Sequence, residues 1–104
     1  MLLRHATPAR NVNSILRHGL LCSRSQGKLP VVWLHTPGRS EWAVLHTVGR
    51  HGGRPETVVV IELGVPRRWL RRSRKGLWYC RRNVPPACFR RLLDFRQVAG
   101  QSDA

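Results

Sequence analysis

Apolar residues fall in short runs separated by turn residues, and the spacing within each run decides the element it predicts. Leu2 to Ala6 reads as a first short strand, ended by Thr7 and Pro8. From Asn11 to His18, Val12, Ile15 and Leu16 lie three and four residues apart, which predicts a short helix with one apolar side. Gly19 caps that helix, and Leu20 and Leu21 fold back onto it. Ser23 to Pro30 is a polar loop containing Arg24, Gln26 and Lys28. Val31 to His35 is a compact strand closed by Thr36, Pro37 and Gly38. Ser40 is placed to cap a second helix, Glu41 to Val48, with Trp42, Leu45 and Val48 predicted to face inward.

A basic turn, Arg50 to Pro55, leads into Thr57 to Leu63, whose β-branched residues make the strongest strand signal in the chain. Its apolar run suits a central strand covered on both faces, with Trp33 or Trp42 buried behind it. Pro66 opens a predicted one- or two-turn helix through Arg72, anchored by Trp69 and Leu70. Leu77 to Cys80 is a further strand, Pro85 and Pro86 start a helical turn, and Phe89 to Phe95 ends as an edge strand. Four or five short strands with three short helices predict an α+β domain over residues 1–97, with a flexible polar tail at 98–104.

Charge changes this picture more than length does. The 104 residues carry 19 Lys and Arg against 5 Asp and Glu, a net charge of +14, where small domains hold roughly 2 to 8. Self-repulsion of that size is relieved by a polyanion, so RNA or DNA is the expected partner, with protein partners in a nucleoprotein assembly beside it. The basic clusters are Arg67, Arg68, Arg71, Arg72, Arg74 and Lys75, followed by Arg81 and Arg82. In the predicted helix Arg67, Arg71 and Arg74 share one face and suit a phosphate backbone. Trp78 and Tyr79 read as core and rim aromatics, with base stacking the functional alternative.

No stretch approaches ~18 apolar residues, and the opening MLLRHATPARN lacks the apolar run of a secretory signal. Cys22, Cys80 and Cys88 form no CxxC pair and read as reduced thiols, so a cytoplasmic protein without a bound metal is expected.

Two histidines stand out because each closes a strand. His5 and His35 are placed to point into one cleft, where they would serve as acid and base or hydrogen-bond a ribose or phosphate; alternatively each satisfies backbone groups at its strand end. His18 suits a helix cap, and His46 and His51 suit the surface. Glu62 is either a general base or oxocarbenium stabiliser, or the ion-pair partner of nearby arginines.

The segment LLRHATPARNVNSILRHGLL resembles the opening of the ADP-ribosyltransferase fold, in the branch of RNA 2'-phosphotransferases and DNA-targeting ADP-ribosyltransferase toxins. His5, Thr7, Asn11, Ile15, Leu16, Gly19 and Leu20 match that outline. VVWLHTP, SEWAVLHTV and TVVVIELGVP resemble the next core elements, and NVPPACF resembles the Ile-Pro-Pro-Glu-x-Ile feature near the end of such domains. The resemblance implies a split, bent sheet holding NAD or an ADP-ribose-like group. It implies His5, Thr7 and Asn11 as cofactor-binding residues, and His5, His35 and Arg24 as the catalytic set. The family's catalytic glutamate is expected near the strand before the Pro-Pro turn, and Leu77, Trp78, Tyr79 and Cys80 contain no carboxylate. The resemblance therefore implies a transferase acting on NAD or on nucleic-acid phosphate at or near RNA or DNA; the alternative is a catalytically silent basic subunit of a ribonucleoprotein.

Overall fold

The computed structural model describes residues 1–25, 27 and 29–100. Gln26 and Lys28 of the polar loop, and 101–104 of the predicted tail, lie outside the described residues. Among the described residues, six strands and three α-helices follow in the order β1 (Leu2–Pro8), α1 (Val12–His18), β2 (Val32–His35), α2 (Ser40–His51), β3 (Val58–Gly64), β4 (Leu70–Arg74), β5 (Leu77–Cys80), β6 (Phe89–Leu93) and α3 (Phe95–Val98). They build a small mixed α+β domain around one bent, open, antiparallel sheet in the order β4-β5-β2-β1-β3-β6. No helix among the described residues is long and apolar enough to cross a membrane.

Strand alternation divides the sheet into two faces. On the α1 face, Leu3, Leu34, Leu63, Trp78 and Cys80 pack with Leu20 and Val84, and Ile15 of α1 closes over them. On the α2 face, Val58, Val60 and Leu93 pack against Val44 of α2 and Val98 of α3. Gly19 joins α1 to the first core. Its φ of +85° suits glycine, and a Cβ there would collide with the Val84 carbonyl. That close approach lets Leu20 and Val84 exchange backbone hydrogen bonds of 2.9 Å.

Two expectations are corrected. The predicted helix from Pro66 to Arg72 is a single 3-10 turn, Arg67–Trp69, that runs into strand β4. Leu70 is buried opposite Cys80, and the turn at Gly76, with φ +78°, folds β4 back on β5. The arginines therefore do not share a helix face; Arg71 and Arg72 point to opposite sides of an edge strand.

Trp42 and Leu45 do not face inward. Ser40, Ala43, Val44 and Thr47 form the buried stripe of α2, leaving Trp42 43% and Leu45 51% exposed, and Trp33 is 40% exposed. Small side chains along that stripe let the helix lie close to β1, which leaves the bulky residues for its outer side. Val98, which opens the predicted tail, is fully buried at the end of α3. Asp94 accepts from the Gln97 amide at 2.9 Å and Gln97 Oε1 accepts from the Asp94 amide at 2.8 Å, a reciprocal cap that holds this short helix.

Candidate functional site: a split between two strands

β1 pairs with β3 along its whole length, from Leu2↔Gly64 to Pro8↔Val58. With β2, among the described residues, its register is the single pair Arg4↔His35. Past that point β2 runs on along β5 while β1 stays with β3, and a cleft of about 740 Å³ opens between them. At the fork the Trp33 carbonyl accepts a hydrogen bond of 2.8 Å from Nδ1 of His5. A carbonyl only accepts, so Nδ1 carries the proton and a neutral ring offers Nε2 as an acceptor. Burial pushes the His5 pKa below its usual 6.5, although the bond to Trp33 opposes the shift.

The cleft walls are one-signed. Arg10, Arg24, Arg50 and Arg74 line them, together with His46 and His51, and no aspartate or glutamate does so among the described residues. Arginine forks around a concave space concentrate positive potential and match phosphate oxygens. His5, Thr7, Asn11 and Arg24, all singled out from sequence, line this cleft.

His35 lines it as well, and the register turns the two histidines to opposite faces of the sheet. Arg4 and His35 face each other across the ladder and so share the α2 face, while His5, one residue on, points to the α1 face. The His35 ring is buried, with Nε2 3.3 Å from the Ser40 hydroxyl. That oxygen accepts from Arg4 Nη1 at 3.1 Å.

The same network explains Glu62, the cross-strand partner of Arg4. Its carboxylate accepts from Arg4 Nε at 3.0 Å and lies 2.9 Å from Arg4 Nη2, and its other oxygen accepts from Arg91 Nε at 2.9 Å. Burial pushes the carboxyl pKa up, and hydrogen bonds and charge from Arg91 and Arg4 outweigh it, leaving the value below 4.5. Glu62 is thus an ion-pair residue beneath the sheet and not a wall of the cleft.

The eight basic residues expected to meet nucleic acid are all exposed, on and around the outer strand β4. Two are held by aromatic faces: Arg67 lies 4.6 Å from the Trp78 centroid and Arg82 lies 3.7 Å from that of Trp69. Arg74 alone of the eight lines the cleft. Sequence reasoning missed Trp33, Trp42 and Arg50 as cleft residues. For Trp42 and Arg50 the signal was present in α2, where Trp42, His46 and Arg50 recur every fourth residue beside the small stripe that the sheet buries.

No family model matches the chain, and no curated protein matches it. The fit of a cofactor is therefore judged from the donors present. Space and charge suit a pyrophosphate. Stabilising a ribosyl cation as nicotinamide departs calls for a carboxylate, and the described walls have none.

Proposed function

We propose that this domain, with an ADP-ribosyltransferase-like fold, binds nucleic-acid phosphates in the cleft between β1 and β2. The single observation behind this reading is the wall composition, four arginines and, among the described residues, no carboxylate. Arg24 and Arg50 would supply forked donors to a phosphate, and Thr7 and Asn11 would add neutral hydrogen bonds beside it. His5 Nε2 would accept from a sugar hydroxyl. NAD is a ligand these residues would hold through its pyrophosphate, without ribosyl transfer. Cys22, Cys80 and Cys88, unbridged among the described residues, would suit a cytoplasmic setting.

Fluorescence anisotropy with labelled oligonucleotides tests the reading. Affinity is expected to fall steeply between 50 and 200 mM salt, with a log-log slope of about 0.7 per phosphate contact on a single strand. Flat affinity across that range defeats it.

A second reading is favoured by His5 itself, which lines the cationic cleft and whose Nε2 has no hydrogen-bond partner among the described residues. That atom would take a proton from an attacking hydroxyl, which would make the domain a phosphate-processing transferase. Incubation with 2'-phosphorylated RNA, with and without NAD, separates the two. Loss of the phosphate that disappears in His5→Gln supports the enzyme, and intact RNA bound by both proteins supports the binding module.

A further inference from the structure

The outer side of α2 carries chemistry that phosphate binding alone leaves unused. Arg39, Trp42, His46 and Arg50 follow one another at spacings of three, four and four, which sets them along one stripe of the helix and the turn before it. His46 stacks on the exposed Trp42 ring, with centroids 5.0 Å apart and planes 14° from parallel. Arg39 holds the near end of the stripe. Its guanidinium lies 5.7 Å from the Trp42 centroid, and Nη2 donates to the Lys75 carbonyl at 3.1 Å. A Cβ at Gly76 would collide with the Arg39 stem, so the β4–β5 turn fits closely around it. Trp42, His46 and Arg50 line the cleft on one side, and Trp33, tilted against Tyr79 at 5.5 Å, lines it as well.

Trp42 is 43% exposed between His46, stacked on it, and Arg39, over it; a nucleobase would take the place of one of them on the ring, with arginine charge for the phosphates on either side. Bases in a duplex keep their faces inside the stack, so such a surface suits a single strand. The sugar is selected at His5. Among walls rich in donors, Nε2 is an acceptor with no partner among the described residues, and a ribose 2'-hydroxyl would bring the proton it needs where deoxyribose brings none.

Resting on the phosphate-binding reading of the cleft, we propose that α2 is a base-stacking platform for single-stranded RNA, with one phosphate held between β1 and β2 and a neighbouring base on Trp42.

The test is anisotropy with a labelled uridine oligoribonucleotide of about twelve nucleotides, a length within the span of known single-strand sites. The comparison ligands are the DNA oligomer of the same length, an RNA duplex and a poly-glutamate peptide, and inorganic pyrophosphate serves as a competitor for the cleft. Trp42→Ala is expected to weaken the oligoribonucleotide about 5- to 150-fold, the range of one lost base stack. Pyrophosphate should compete with the oligoribonucleotide on the wild type, and Arg24→Ala should weaken that competition. Trp42→Phe, which retains an aromatic face, should recover most of the affinity, and an unaltered unfolding midpoint shows that the change is not a loss of fold.

Wild-type affinity in Trp42→Ala overturns the platform, and if Arg24→Ala still weakens binding the cleft reading survives it. Equal affinity for the DNA oligomer or the duplex overturns the assignment to single-stranded RNA. Peptide binding with the same dependence on Trp42 reassigns the surface to an acidic protein and overturns it too. No binding of any oligonucleotide by the wild type overturns both readings.

Discussion

β1 has two neighbours and treats them differently. Toward β3 it pairs at every residue from Leu2 to Pro8, and the polar cross-strand pair on that side, Arg4 with Glu62, is buried as an ion pair. Toward β2 the described register is Arg4↔His35, and the next side chain, His5, bonds the Trp33 carbonyl where the strands part. Adjacent residues of one strand thus serve opposite ends. Arg4 ties the sheet together on the α2 face, and His5 holds the mouth of the cleft on the other. The closed side satisfies its polar groups internally, whereas the open side presents arginines and an imidazole to the cleft.

The closed side is where substitutions should cost most. Glu62→Ala removes the carboxylate that Arg4 and Arg91 share, and chemical denaturation should show a loss of about 3 to 5 kcal/mol, the usual cost of breaking a buried pair. Trp78→Ala should cost a similar 3 to 5 kcal/mol or so, because that ring is buried in the α1-face core.

A smaller effect is expected from pH. The folded-state pKa of His5 lies below 6.5, so its contribution to stability is whole above that value and declines as pH falls from there through the folded pKa. Denaturation midpoints at pH 7.5 and 5.5 should differ more for the wild type than for His5→Gln; equal differences would mean that His5 is not desolvated at the fork. Glu62, whose pKa is also lowered, acts further down, with its contribution lost as pH falls from 4.5 through the folded value.

The smallest effects belong to exposed groups. Arg91→Ala should cost about 1 kcal/mol or less, since the Arg91 side chain is 58% exposed. Trp42→Ala should leave stability within about 0.5 kcal/mol, and a loss as large as that of Trp78→Ala would return Trp42 to the core.

The strands were legible where burial on both faces writes an unbroken apolar run, as in Val58–Gly64, and where turn residues bracket a short one, as in Leu77–Cys80. β4 was not, because its sequence LRRSR has one buried residue and no strand pattern; its conformation comes from pairing with β5 through the turn at Gly76. α2 was found, but its orientation was inverted. Hydrophobicity favoured burying Trp42 and Leu45, and close approach to β1 favoured the smaller Ser40, Ala43 and Thr47. Of the candidate site, His5, Thr7, Asn11 and Arg24 share a cleft. The facing of His35 depends on the β1–β2 register, which no local pattern fixes.

The cleft itself is tested by moving the same charge loss to two places. Arg24→Ala/Arg50→Ala removes two cations from its walls, and Arg90→Ala/Arg96→Ala removes two that do not line it. Oligoribonucleotide affinity measured against salt should lose about 1.4 from its log-log slope in the first variant, for two single-strand phosphate contacts at about 0.7 each, and close to none in the second. Equal slopes in both variants would mean that binding follows net charge alone, and would contradict a phosphate site between β1 and β2.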